Sequence, residues 1–429
     1  MEIPFLRDHA RHSTPVRDPV WKDIPLTPEL QDIVRSEPFL RLYRIRQLGP
    51  TELVYPGATH TRAAHSLGVY NLALRMLHKM SDQETDFAVS ETSCRSFLIA
   101  ALLHDLGHFP YTHSLKELPL EDHEALTARA ILQEPLYTLI KRFGASPETA
   151  AAIVDHSIHP DALGTEVHFF RKLLSGVLDP DKLDYLNRDA LYCGVPYGMQ
   201  DTDFVLSKAQ FDKRYGIAID SSAIMSIENI LFSKYLMYRS VYWHRQVRIA
   251  TAMMKKALWH GLSNKSIAGE DLYRLDDSGL FSYMHSVGGI PFSIAEKVRN
   301  RRFYKILGEF KFESSEQGMG ALEDLHARTE AETAAAEYLS RLTGTPIASE
   351  DVLIDIPERI SFESDLHILD ENCSFSASTT VFNPAIVGNF TRSLRMARLA
   401  INTDAFDAMG GRFPEPENLA RCIGVGYTE

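Results

Sequence analysis

Residues 97–103, FLIAALL, are apolar on every side and run straight into His104-Asp105. A helix that is hydrophobic all round has no face to offer water, so it belongs in the centre of a bundle or in a membrane. Seven residues are too few to cross a bilayer, and no uninterrupted apolar stretch in the chain is long enough. The run therefore predicts the central helix of a bundle. Its end delivers an imidazole and a carboxylate to that core, where an ionised carboxylate is expensive unless something compensates it. A divalent cation is the natural compensation. Imidazole with carboxylate suits iron, manganese, nickel or zinc, and magnesium where oxygen ligands dominate. A single His-Asp pair is weak evidence, because a lone buried His is more often a satisfied core residue, so its surroundings must decide.

Those surroundings read as mainly helical. VRDPVWKDIPLTP (16–28) predicts a short hairpin leading into a helix, with Thr27 at the N-cap and Pro28 first. A helix opening near His65 puts Val69, Leu72, Ala73, Met76 and Leu77 on one stripe. Further helices are expected over about 123–143, over 147–156 after Ser146, and over about 180–192 between the cap Asp179 and Gly194. A long one is expected over about 223–262, so the first 300 residues read as almost wholly α. The composition then changes: 313–340 is acidic and alanine-rich, as in a surface helix. VLIDIP, RISFES, LHILD and FSASTTVF follow as short strands, then a helix near 384–397 and a loose tail from Gly410. The expected organisation is a catalytic domain over 1–305, with its core at about 60–190, and a smaller α+β region over 306–429.

The net charge of −12 argues against a non-specific nucleic-acid or anionic-membrane binder. A phosphate ligand would then need a local cluster of Lys and Arg. Cys94, Cys193, Cys373 and Cys422 form no CxxC pair and read as reduced thiols. With no signal-type run at the N-terminus, the expectation is a cytoplasmic protein.

His65 lies in PGATHTRAAHSLGVY, His104-Asp105 in LLHDLGHFPYTH, and Asp181 in DKLDYLNRD. The order His, His-Asp, distant Asp, in these contexts, resembles the HD superfamily and within it the dNTP triphosphohydrolase group. That group includes dGTPase-like proteins and the human sterile-alpha-motif and HD-domain dNTPase. The resemblance covers roughly 16–125 and 175–250 and thins in the C-terminal third. It implies an HD-domain helical bundle in which His65, His104, Asp105 and Asp181 hold a divalent metal (Mn, Fe, Mg, Ni or Zn). It also implies hydrolysis of a dNTP to deoxynucleoside and triphosphate.

By the same resemblance His123 lies beside the scissile phosphate, His113 is a further active-site histidine, and Arg62 binds triphosphate. His108, one turn from His104, projects near the metal, and His123 or His108 would serve as general acid. The alternative for His108 and His113 is that they orient metal ligands. Asp181, Lys182, Tyr185 and Asp189 form a stripe on one helix. The resemblance implies that Lys182 touches phosphate, Tyr185 and Asp189 hold the sugar, Gln47 and Leu48 contact the deoxyribose, and Tyr242 stacks under it. For Tyr185 and Tyr242 the plain alternative is core packing.

The chain also departs from the group. Lys234 and Tyr238 stand where a phosphate-contacting arginine and a histidine are usual, and Lys116 where a catalytic Asp can occur. Arg35, Leu40 and Tyr43 lack the contacts of the group's guanine-nucleotide activator site. Competing readings are another HD nucleotide phosphohydrolase (a monophosphatase or phosphodiesterase) and a weakly active nucleotide-sensing scaffold. The group forms dimers, tetramers or hexamers, so a homo-oligomer is expected, with no membrane and no nucleic acid as main partner.

Overall fold

The computed structural model describes residues 3–84, 87–159, 164–313, 319–360 and 366–422. Its centre is the Glu91–Leu103 helix, in which every residue from Phe97 to Leu103 is fully buried. Ser90 caps it by accepting from the Ser93 amide. Helices Arg62–Asp82, Pro147–Val154 and Glu166–Leu174 pack against it, and Pro180–Cys193 packs against Arg62–Asp82. The caps at Ser146 and Asp179 form, accepting from the Thr149 and Lys182 amides, and Gly194 ends its helix at φ 68°. The fold is mainly α: a helical bundle with strands in the C-terminal region. No helix among the described residues is long and apolar enough to cross a membrane.

The N-terminal hairpin pairs Thr14–Asp18 with Lys22–Leu26, Val16 opposite Ile24. Thr27 precedes the Pro28–Val34 helix as expected, but its hydroxyl makes no cap bond. Elsewhere the structure differs from the sequence expectations. The helix expected over 123–143 is two, His123–Ile131 and Leu136–Arg142, divided at Pro135, which supplies no amide to continue the ladder. The stretch 223–262 is also divided. Ile224–Met237 runs into a π turn over Tyr238–Tyr242, closed by the Trp243 amide donating to the Tyr238 carbonyl, and Arg245–Ser263 begins after it.

A hairpin, Ala209–Asp212 with Gly216–Ile219, interrupts the otherwise helical first 300 residues. Gly216–Ile219 also pairs in parallel with His367–Ile368, which pairs with Cys373–Ser374. A second sheet has Met396–Ile401 at its centre, antiparallel to Lys305–Lys311 and to Val352–Asp355. VLIDIP is thus a strand and LHILD forms only a two-residue one. Phe375–Ala377 is a single 3₁₀ turn, and most of RISFES lies outside the described residues. The central strand falls partly where a helix was expected, because that helix ends at Leu394. From Ala397 to Ile401 every side chain is buried, and a strand covered on both faces lacks the alternation that marks half-exposed strands. The acidic helix is Leu325–Thr343, one face of it on this sheet, and the end of the chain carries a helix, Pro416–Cys422.

Buried charges join the C-terminal region to the bundle. Arg248 holds Asp355 at 2.7 Å, and Asp355 also takes Arg398. Glu117, a few residues past the His-Asp motif, is held by Lys255 at 2.8 Å and Arg328 at 2.9 Å. Burial alone would raise the Glu117 carboxyl, but these two cations outweigh it and bring its pKa down to about 2. A carboxyl whose folded pKa is depressed stabilises the protein above its unfolded pKa, and loses that contribution as pH falls through the folded value. Glu117→Gln is therefore expected to lower stability at pH 7 by on the order of 2–3 kcal/mol. It should also flatten the loss of stability between about pH 4.5 and 2, as urea titrations across that range would measure.

Candidate metal centre and its cavity

Three helix ends converge on one point. His65 is in the first turn of Arg62–Asp82, fixed by the Thr61 hydroxyl accepting from the Ala64 amide. His104 and Asp105 follow directly on Glu91–Leu103, and Asp181 is in the first turn of Pro180–Cys193. His65 Nε2 lies 3.0 Å from Asp181 Oδ1, and His104 Nε2 lies 3.9 Å from the same oxygen. Asp105 closes the ring, its Oδ1 at 3.3 Å from His104 Nε2 and its Oδ2 at 4.0 Å from His65 Nε2. One ion with bonds of ~2.0–2.2 Å can span His65, His104 and Asp181, whose donor atoms all lie within 4.8 Å of one another, with Asp105 bordering the three.

The fit to a cation rests on what these atoms lack. His104 Nδ1 donates to the Ala101 carbonyl at 2.9 Å, so Nε2 is the atom left to accept. That Nε2 is buried with no hydrogen-bond partner among the described residues. A buried unsatisfied acceptor facing a carboxylate is costly, and a cation resolves it. His65 tells the same story. Burial would lower its pKa, but Asp181 and Asp184 on either side raise it to about 10, so a proton sits where a metal ion would. Burial would raise Asp105, yet His108, His104, Arg62 and His65 hold it well below the usual carboxylate range.

Outer partners fix the ligands, as metal sites require. His65 Nδ1 meets Asp184 Oδ2 at 2.7 Å, and Arg62 donates to Asp105 Oδ2 at 2.7 Å. Asp184 and its partner Arg188 escaped the sequence reading. Their signal is their i, i+4 spacing inside DKLDYLNRD, on the flank of the stripe through Asp181 and Tyr185. Gly68 leaves room for them: a Cβ there would lie 1.8 Å from Asp184 Oδ1.

The centre opens into a cavity of about 890 Å³. Gln47, Leu48, Arg62, His123, Lys182, Tyr185, Asp189, Tyr238 and Tyr242 all line it together with the four metal-site residues. Lys234 is buried on its helix and is not part of the lining. His108 is fully buried behind Asp105, its ring 3.9 Å from that of His123. The His113 side chain lies outside the described residues. Asp189 is 1% exposed and spends its oxygens on His60 at 2.8 Å and Tyr242 at 2.6 Å. Lys182 is engaged by Asp179 and the Gly176 carbonyl. Lys116 is exposed on the lining and has no ion pair among the described residues. Burial, with Lys116, Arg62 and His104 adding to it against Asp105, lowers His123 to about 3, so its imidazole is neutral at pH 7.

Residues 62–178 match the HD domain and 201–375 the HD associated region. The chain therefore carries an HD domain, a kind of domain that binds divalent metals. It is 32% identical over 300 residues to an uncharacterised protein of Methanocaldococcus jannaschii, covering 69% of this chain and 60% of that one. It is 26% identical over 322 residues to human deoxynucleoside triphosphate triphosphohydrolase SAMHD1, covering 68% of this chain and 50% of that one. The matches span between half and three-fifths of the length of these curated relatives. A phosphohydrolase structure from Bacteroides thetaiotaomicron shares the fold at TM-score 0.70 and 21% identity, over 91% of this chain and all of that one.

If the four residues hold one ion, saturating Mn²⁺ stabilises the protein by RT ln(1 + [L]/Kd), about 2.7 kcal/mol at a hundredfold excess over Kd. His104→Ala and Asp181→Ala are expected to abolish this gain. Thermal melts with and without Mn²⁺ would check it; an equal gain in either variant contradicts the site.

Proposed function

We propose that the protein is a metal-dependent phosphohydrolase that cleaves deoxynucleoside triphosphates to deoxynucleoside and triphosphate. The observation that carries the reading is the continuity of the ligand cluster with a cavity of about 890 Å³, within the range of whole-ligand pockets. Cationic side chains and aromatic rings both line it, as a nucleotide with separate phosphate and sugar-base ends requires. The similarity to SAMHD1 supports the same substrate class.

A divalent ion bound by His65, His104, Asp105 and Asp181 would polarise a phosphoryl oxygen and lower the pKa of water beside it. The chain's own residues supply the rest. Arg62 reaches the cavity from the first turn of its helix, with one guanidinium N–H, at Nε, unpaired among the described residues. Lys116 adds an ammonium not already neutralised. Arg62 opposes the charge that develops on the phosphate chain, and Lys116 binds that chain in ground and transition state alike. Neutral His123 gains proton affinity when an anionic phosphate lies against it, takes up a proton from solvent, and as imidazolium passes that proton to the departing 5′ oxygen. His108, packed against both Asp105 and His123, holds these two in register.

Around the sugar, Tyr185, Tyr238 and Tyr242 form an edge-to-face cluster, with Tyr242 6.4 Å from Tyr185 and 5.0 Å from Tyr238. In this reading Asp189 acts through Tyr242, whose hydroxyl it already holds, and fixes that ring as a rigid wall against a 2′ substituent. The Tyr238–Tyr242 π turn sets both rings toward the cavity. A cytoplasmic homo-oligomer belongs to the same proposal.

Incubation with Mn²⁺ and each dNTP, NTP and dNMP, with products separated by anion exchange, tests it. Triphosphate plus deoxynucleoside is the expected result, with NTPs turned over at least tenfold more slowly. Orthophosphate from monophosphates would favour a nucleotidase, and nucleotide binding without turnover a sensor. Lys116→Ala is expected to raise KM several-fold with a smaller change in kcat, since a cation that binds ground and transition state alike acts on KM.

A further inference from the structure

The buried charges behind His65 do not stop at Asp184. Arg188 is fully buried, and its guanidinium lies between two carboxylates. Nε and Nη2 donate to Asp184 at 2.8 and 2.9 Å, while Nη1 and Nη2 donate to Asp18 at 2.8 and 3.3 Å. Asp18 ends the first strand of the N-terminal hairpin, and its Oδ1 also accepts from the Val20 and Trp21 amides at 2.9 and 2.8 Å. From the same turn the Trp21 indole N–H donates to Asp184 Oδ1.

We propose that the N-terminal hairpin is part of the metal centre, with Asp18 and Trp21 as positioning residues that fix the Asp184 carboxylate, and through it the ring of His65. The inference rests on the metal centre proposed above. Asp184 Oδ2 receives both Arg188 Nε and His65 Nδ1, so the place of that one oxygen sets the plane of the imidazole and aims Nε2. A lone arginine could swing on its long stem and carry the carboxylate with it. Clamped by two forks, the guanidinium cannot turn without leaving N–H groups buried and unpaired. Trp21 pins the other carboxylate oxygen. Gly68 removes the side chain that would push the pair off the His65 helix. A buried ion network of this kind is a poor source of stability compared with apolar packing, so its value is sought in what it positions.

The test uses the full chain stripped of metal with chelator, then titrated with Mn²⁺ while free Mn²⁺ is read by electron paramagnetic resonance. Asp184→Asn is expected to weaken binding by on the order of tenfold or more, and Asp18→Asn by about fivefold. Trp21→Phe keeps the ring and loses the donor, and is expected to weaken binding by about threefold. The double variant D18N/D184N should bind no worse than Asp184→Asn alone, because Asp18 acts only through that carboxylate.

Melting temperatures of the metal-free variants separate positioning from support. Lowered melting with Mn²⁺ affinity within twofold of wild type for both Asp18→Asn and Trp21→Phe overturns the proposal. So does a double variant whose loss is the product of the two single losses. If Asp18→Asn does not fold, Trp21→Phe decides alone. Wild-type protein that binds no Mn²⁺ overturns the metal centre itself and the relay with it, whereas wild-type binding with indifferent variants overturns only the relay.

Discussion

A carboxylate just past a helix whose last seven residues are apolar and buried forces the chain around it to supply positive charge. Asp105 lies two residues past a run of seven fully buried residues and is itself 4% exposed. Its charge is held in place by Arg62 from one helix end, His65 from the same first turn, and His104 and His108 from its own segment. Most of these groups come from helix termini, and the reason is geometric. Helix ends can bring short polar side chains to a common point without burying polar atoms along a helix face. The bundle therefore packs apolar stripes along its length and gathers its charges where helices stop.

That arrangement was legible in the sequence where local signals were strong. FLIAALL gave the central helix because seven apolar residues in a row have no other place to go. Asp179-Pro180 and Gly194 marked both ends of the helix bearing Asp181, since cap and C′ chemistry is local. What escaped depended on partners distant in the chain. Tyr238–Tyr242 reads as helix by propensity, and only the packing of Tyr238 against Tyr242 and Trp243 accompanies its wider turn. Met396–Ile401 is covered on both faces, so nothing in its pattern distinguishes strand from buried helix. Asp184 looks like one more charge on a polar helix until Asp18, far back in the chain, is placed against Arg188.

The same long-range charge pairing explains why the C-terminal region belongs to the cavity. Arg248 faces the cavity and is tied to Asp355 on a strand of the second sheet and to Glu358 just beyond it. Glu358 and Arg359 then line the cavity themselves. Glu117 extends the connection from the segment after the His-Asp motif to Arg328 on the helix over that sheet. A shift of the sheet relative to the bundle would strand buried charges on both sides, and each such separation is costly. The part of the cavity wall supplied by Glu358 and Arg359 is thereby tied to the bundle.

Electrostatic selectivity inside the cavity follows from which cations are already spent. Lys182 is occupied by Asp179, Arg248 by Asp355 and Glu358, Arg359 by Glu323, and Arg46 by Glu52. In a chain of net charge −12, a polyanion is drawn only to where positive charge is left over. Among the described residues Lys116 is the lining cation beside His123 that has no ion pair, while Arg62, paired through Nη1 with Asp105, adds one unpaired N–H. Lys116, read from sequence as a loss because a carboxylate is usual there, thus takes a different meaning in the folded chain. It places positive charge on the cavity lining and lowers the basicity of His123. An anion entering the cavity therefore meets its least neutralised positive charge at Lys116, on the same lining as His65, His104, Asp105 and Asp181.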